Sequence, residues 1–286
     1  MKRFFLLLIA IPAVLVSFPG WLSIRSIPKN CISDTPLFFI SFDSTKIHYE
    51  VRGSGRPVLL VHGFIGDGES WKKLPLYDSL IGAGFMVVTL DLRGNGRSGK
   101  PHNPEAYAHD AEARDVMGLM DVLKISQYFV VGYSRGSIIT ARLLVLDKRI
   151  TKAVMGGIGA DFTNPEWPRR IMFYHALMGE PIKELEPMVK RVQAAGLDQL
   201  ALAYLQKEQP STSKEELSKI TQPVLVICGD QDTDNGSSKE LVKLMPKAVE
   251  ATVPGDHGGA SRTLEFSRKV ISFLTGKFIA LTGEIR

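Results

Sequence analysis

The sequence predicts an α/β fold, a parallel sheet covered by helices on both faces. Three observations carry this. Residues 57–61 and 224–228 are continuously apolar, and 85–90 are apolar but for Thr89, as strands buried on both faces are. Segments with helical spacing stand between them, the alternation a parallel sheet needs. The β-rich run Tyr128-Phe129-Val130-Val131 enters Gly132-Tyr133-Ser134-Arg135-Gly136, and an apolar helical pattern begins at once. Strand, sharp turn, then helix is the setting of a nucleophile elbow, with glycines where neighbouring backbone leaves no room for a Cβ.

In chain order, Met1-Lys2-Arg3 is charged and residues 4–22 are not. A run of this length, apolar on all sides, reads as a secretory signal or a single membrane anchor. Ser17, Pro19 and Gly20 suit the end of a signal, but no A-x-A cleavage site follows. Residues 1–30 are therefore expected to be a signal peptide or anchor. The protein is expected to be exported or membrane-anchored rather than cytoplasmic, with residues 31–286 as its one folded domain. Residues 37–42 and 46–51, joined at Asp43-Ser44, predict an antiparallel hairpin. The strand at 57–61 runs into His62-Gly63-Phe64-Ile65-Gly66. A helix is expected over 71–81, a strand over 85–90 ending in Asp91-Leu92-Arg93-Gly94, and a helix over 109–123. After the elbow and Ala153-Val154-Met155, the rhythm changes. Residues 161–221 hold Pro165, Pro168, Pro181 and helical patterns at 170–177, 182–195 and 197–207, with clustered aromatics. They predict a helical insertion over the strand ends. Strands resume at 224–228 and 248–253, and a last helix covers about 263–274.

Composition bounds the function. With 44% hydrophobic and 23% charged residues, the chain can build one large core. Its net charge of +5 comes mainly from Lys2, Arg3, Arg25 and Lys29, in a stretch without acids; without those four the 35 basic residues become 31 against 30 acidic. A near-neutral body gives no argument for nucleic acid. The two cysteines do not make a disulfide framework. Cys228 reads as a buried strand thiol, and Pro28-Lys29-Asn30 are poor neighbours for a lipidated Cys31. No cluster has zinc spacing and there is no phosphate loop, so no metal or cofactor is expected.

A serine hydroxyl attacks well only when a base takes its proton and a third group orients that base. Ser134 is the candidate nucleophile. The strand at 224–228 is followed by Gly229-Asp230-Gln231-Asp232-Thr233-Asp234, and that at 248–253 by Pro254-Gly255-Asp256-His257. Serine, aspartate, histidine is the chain order this elbow requires. Asp230, Asp232 and Asp234 are all within range by spacing. His48, His102, His109 and His175 lack a motif and read as surface or structural residues.

His62-Gly63, Asp91-x-Arg93-Gly94-x-Gly96-x-Ser98, Gly132-x-Ser134-x-Gly136, Gly229-x-x-Asp232 and His257 together resemble the α/β-hydrolase superfamily, in its form with a helical cap, over about residues 37–274. The resemblance implies an eight-stranded, mostly parallel sheet with the cap at about 161–221, after the sixth strand. It implies a carboxylesterase-like serine hydrolase: Ser134 as nucleophile, His257 as general base and then acid, Asp232 as the acid of the catalytic triad. Backbone N–H groups of Phe64 and Arg135 would form the oxyanion hole. The Arg135 side chain is expected to pair with a carboxylate, and Asp91 and Arg93 to brace the loop. Serine at the elbow argues against haloalkane dehalogenases and epoxide hydrolases, which need a carboxylate there. Amidases, aminopeptidases, C–C-bond hydrolases and cofactor-free haloperoxidases share the triad and stay open, as does a ligand-binding member without turnover. The expected partner is a small ester-like molecule, with Trp167 and Phe173 of the cap as binding candidates and the N-terminal segment offering membrane attachment.

Overall fold

The computed structural model describes residues 36–278. The first strands form the expected hairpin, β1 (Leu37–Ile40) and β2 (Lys46–Gly53), closed by a turn in which Asp43 accepts the Thr45 N–H at 3.0 Å. Then come β3 (Pro57–Val61), α1 (Gly68–Lys72), α2 (Pro75–Gly82), β4 (Met86–Leu90), α3 (Ala111–Val122), β5 (Tyr128–Tyr133), α4 (Arg135–Leu146) and β6 (Ile150–Gly156). Between β6 and the next strand lie only helices and turns: α5 (Pro168–Leu177), α6 (Glu186–Ala194), α7 (Gln199–Lys207) and α8 (Lys214–Ser218). The chain closes with β7 (Val224–Gly229), α9 (Ser238–Lys243), β8 (Ala248–Val253) and α10 (Leu264–Leu274).

The eight strands make one sheet in the order β1-β2-β4-β3-β5-β6-β7-β8. The β1–β2 and β2–β4 pairs are antiparallel; the rest are parallel. Alternate residues of one strand feed opposite cores, as the two-residue period demands. Leu59, Val130 and Val226 face a core closed by Val116, Leu119 and Met120 of α3 and Ile138 and Ile139 of α4. Leu60, Val131 and Ile227 face a second core closed by Trp71 of α1, Leu76 and Leu80 of α2, and Phe266, Val270 and Phe273 of α10. A smaller core, with Tyr107, Leu177, Val192, Leu202 and Leu205, knits α5, α6 and α7 together and takes Phe64 and Ile65 against it.

The single helix expected over 71–81 is two. Pro75 lacks an N–H and disfavours helical backbone at the preceding residue. Leu74 is accordingly extended (φ −106°, ψ 141°), and α2 starts afresh with Pro75 in its first turn. The short α8, unforeseen in the sequence, opens on a capping box: Ser213 Oγ accepts the Glu216 N–H while the Glu216 carboxylate accepts the Ser213 N–H. Among the aromatics and methionines of 161–221, Phe162 belongs to the main core, whereas Met172 and Met178 are exposed. No described helix is long and apolar enough to cross a membrane. The signal or anchor reading of 4–22 and the reading of Cys31 lie outside the described residues.

Because β3, β5, β6, β7 and β8 run parallel, the loops that follow them leave the same rim of the sheet. Those loops carry Phe64, Ser134, Asp232 and His257.

Candidate active site

Between β5 and α4 the chain reverses within one residue. Ser134 sits at φ 54°, ψ −124°, a conformation that costs a non-glycine residue about 1–3 kcal/mol and persists only when its surroundings impose it. Here they do. The Ser134 N–H bonds to Gly156 O at 2.8 Å, and Ser134 O accepts the Ser137 N–H at 2.8 Å. A Cβ on Gly136 would run into the carbonyls of Val61 and His62, and one on Gly132 into the Gly136 main chain. The motif's glycines thus let α4 press on β3 and β5, and Ser134 is left projecting from the rim.

His257 Nε2 lies 2.9 Å from Ser134 Oγ, and His257 Nδ1 lies 2.9 Å from Asp232 Oδ2. The other two aspartates of the loop go elsewhere. Asp230 accepts the Gly255 N–H at 2.9 Å, and Asp234 pairs with Arg169 at 3.2 Å. Burial works to raise the Asp232 pKa, but the His257 hydrogen bond and charge, the Asp234 N–H and Arg169 outweigh it, so the carboxyl is held below its ordinary range. An ionised Asp232 accepts a hydrogen bond from Nδ1–H, which leaves Nε2 as the acceptor facing the serine.

Two residues with unpaired main-chain N–H groups line the same cavity as Ser134. The N–H groups of Phe64 and Arg135 have no hydrogen-bond acceptor among the described residues. Phe64 sits in a turn closed by Gly66 N–H to Gly63 O at 3.1 Å, followed by Ile65 in left-handed backbone at φ 63°. A Cβ on Gly63 would stand 3.3 Å from the Ser134 Cβ, so glycine lets this loop approach the serine. His62 holds the loop from behind: its Nε2 accepts the Leu92 N–H at 3.0 Å, so Nδ1 carries the proton and donates to Gly63 O at 2.8 Å. Complete burial pushes the His62 pKa down and keeps the ring neutral.

The bracing residues fall where the sequence suggested. Asp91 accepts the Gly68 and Arg97 N–H groups at 2.8 and 2.7 Å and faces His48 Nδ1 at 3.1 Å. Arg93, fully buried, bonds Asp115 through Nε at 2.7 Å and reaches Asp43. Burial alone would lower the Arg93 pKa; the Asp115 hydrogen bonds and charge raise it instead. Arg135 makes a forked pair with Glu112, 2.6 Å at each tooth, and donates to Leu205 O at 3.0 Å. Of the remaining histidines, His48 is buried, His175 half-buried, and His102 and His109 exposed.

Sequence reasoning passed over Tyr133 and Asn235. The Tyr133 hydroxyl donates to His257 O at 2.8 Å, with its ring 5.6 Å from the imidazole, and so holds the histidine loop. Asn235 donates to Gly157 O at 2.9 Å and ties the aspartate loop to the end of β6. Tyr133 was visible inside the motif; Asn235 has no local signal.

Above Ser134 and His257 is a cavity of about 250 Å³. Trp167 and Phe173 line it, the latter edge-on to Phe64 with ring centres 5.8 Å apart. Among the described residues no group of three or more His, Cys, Asp or Glu is placed to hold a metal ion. A nucleophile, a base, an orienting carboxylate and two free N–H donors around a small cavity can carry out acyl transfer.

A family model described as alpha/beta hydrolase fold matches residues 56–187. The chain is 36% identical over 126 residues to a non-heme haloperoxidase of Rhodococcus erythropolis, covering 42% of this chain and 43% of that one. It is 30% identical over 117 residues to an epoxide hydrolase of Caballeronia sordidicola, covering 41% and 35%. Each of these matches thus spans less than half the relative's length. The structure superposes on an esterase from Exiguobacterium antarcticum with a TM-score of 0.71 and 18% identity, over 84% of this chain and 100% of that one.

Proposed function

This chain belongs to the α/β-hydrolase superfamily, and from that premise we propose that it is a serine hydrolase cleaving a small carboxylic ester through an acyl-enzyme on Ser134. One observation carries the reading: Ser134 Oγ, His257 and Asp232 lie in one hydrogen-bonded line, 2.9 Å at each link. Ser134 Oγ attacks the ester carbonyl as His257 Nε2 takes its proton, with Asp232 holding Nδ1–H and stabilising the imidazolium. The tetrahedral oxyanion lies against the Phe64 and Arg135 N–H groups, each contributing roughly 3–4 kcal/mol to the transition state. His257 returns the proton to the leaving alcohol. Water, deprotonated by His257, then attacks the acyl carbon, and the proton passes from His257 to Ser134 Oγ as the acid leaves.

Opening an epoxide through a covalent intermediate at the elbow needs a carboxylate there, and this chain has Ser134. The haloperoxidase likeness favours a second reading on the same residues. Hydrogen peroxide would replace water in the second half-reaction, so the acyl group leaves as a peracid.

The test is a p-nitrophenyl ester assay with fluorophosphonate labelling. Turnover and rapid labelling, both abolished in Ser134→Ala, are expected. Unlabelled wild type with no turnover sinks the proposal and leaves a binding protein on this scaffold. Peracid formation with peroxide present separates the two readings.

A further inference from the structure

The helices between β6 and β7 bring the cavity a charge that acyl transfer at Ser134 does not require. Arg169 and Arg170 of α5 and Arg191 of α6 line it together with Arg135, and no aspartate or glutamate does. Two of the four guanidiniums are neutralised, Arg135 by Glu112 and Arg169 by Asp234. The other two are not. Arg170 donates to the main-chain carbonyls of Pro165, Gln206 and Lys207, which fix its position but supply no net charge. Arg191 has no carboxylate within salt-bridge reach among the described residues. On the same wall Gln206 is 5% exposed, and its amide has no protein partner among the described residues. That amide lines the cavity and is left for a ligand there to bond.

We infer that the preferred substrate is a short ester bearing a free carboxylate, bound by Arg170, Arg191 and the Gln206 amide while its scissile carbonyl lies at Ser134. This rests on the serine-hydrolase reading above. A guanidinium fork matches a carboxylate, donating two parallel hydrogen bonds to it. The volume, about 250 Å³, lies just below the usual range for drug-sized ligands and suits a small half-ester rather than a long acyl chain.

The experiment compares kcat/KM within two matched pairs: p-nitrophenyl hydrogen glutarate against p-nitrophenyl pentanoate, and 4-carboxyphenyl against 4-carbamoylphenyl butyrate. The first pair places the acid on the acyl side, the second on the alcohol side. In one pair the anionic ester should win by about tenfold, equivalent to roughly 1.4 kcal/mol. That preference should shrink in about 0.5 M salt and fall toward one in Arg191→Gln and Arg170→Gln. A folding defect lowers both rates of a pair alike, so the ratio reads the charge alone. Ratios near one in both pairs, or ratios untouched by either substitution, overturn the inference and leave the hydrolase reading intact. If no ester is cleaved, the hydrolase reading fails, and glutarate binding to Ser134→Ala by calorimetry decides the site separately. Binding weakened by Arg191→Gln supports an anion site, and absence of binding removes it.

Discussion

At the rim of the sheet, glycines at 132 and 136 stand where a Cβ would strike main-chain atoms, and a non-glycine residue is held at φ 54° between them. In the helices above the cavity, the side chains are packed by a small core of their own, and Arg169 and Arg191 reach partly into solvent. The rim is over-determined by backbone contacts; the helical segment rests on side chains. Positions that backbone contacts fix should control the rate of the chemistry. Positions that only side chains fix should control which molecule is admitted.

The largest effect belongs to the rim. Ser134→Ala should lower kcat by about 10⁶ while leaving the thermal midpoint nearly unchanged, since alanine takes the same backbone without the hydroxyl. Asp232→Asn should cost about 10⁴, because an amide stabilises neither the Nδ1–H tautomer nor the imidazolium. Asp234→Asn, which alters only an exposed pair with Arg169, should stay within a few-fold. Equal losses in the two aspartate variants would erase the distinction between the regions.

Arg135 belongs to both regions, with its N–H at the rim and its guanidinium bonded to Glu112 on α3 and to Leu205 O on α7. Both members of the pair are almost fully buried. Glu112→Gln would strand the buried cation and should lower stability by about 3–5 kcal/mol, read as a shift of the urea midpoint at constant m. An unshifted midpoint would mean that the helices stand over the rim without this tie.

The same contrast decides what could be read from the sequence. The serine turn, the sheet and the loop after β3 were legible because their signals are local: Gly132-x-Ser134-x-Gly136 states its own geometry, and apolar runs at 57–61 and 224–228 state theirs. The choice of Asp232 over Asp230 and Asp234 was open on spacing, because it depends on the Asp230 bond to the Gly255 N–H, a contact between separate loops. The break in the helix at Leu74 was visible in Pro75 and outweighed by the apolar periodicity around it. The charge of the cavity was not legible. Arg169, Arg170 and Arg191 look like any solvated helix face until folding shows which of them meet a carboxylate.

Phe173→Ala tests the helical segment at intermediate scale. The ring packs on Phe64 and lies beneath Arg169, whose guanidinium carbon is 5.1 Å from its centre. Its loss should raise KM for short esters by about tenfold with little change in kcat, the mark of binding shared by ground and transition states. A fall in kcat instead would show that Phe173 sets the position of Phe64 and its oxyanion N–H.

The smallest effect is electrostatic and confined to α7. Asp198 caps that helix by accepting the Ala201 N–H at 3.0 Å, and it also faces His102 Nε2 at 2.8 Å. Partial burial tends to raise its pKa; the Ala201 N–H and then His102 outweigh that and hold it below the ordinary carboxylate value. A pKa lower in the folded than in the unfolded chain stabilises the fold above the unfolded value, about 3.9, and that contribution disappears as pH falls through the folded one. Asp198→Ala should therefore cost about 1 kcal/mol near neutrality, or about 2–4 °C in the midpoint, and the gap to wild type should close below about pH 4. A gap that persists in stronger acid would show that the cap acts as a neutral hydrogen bond. The anchoring of α7, and with it Gln206 on the cavity wall, would then not depend on charge.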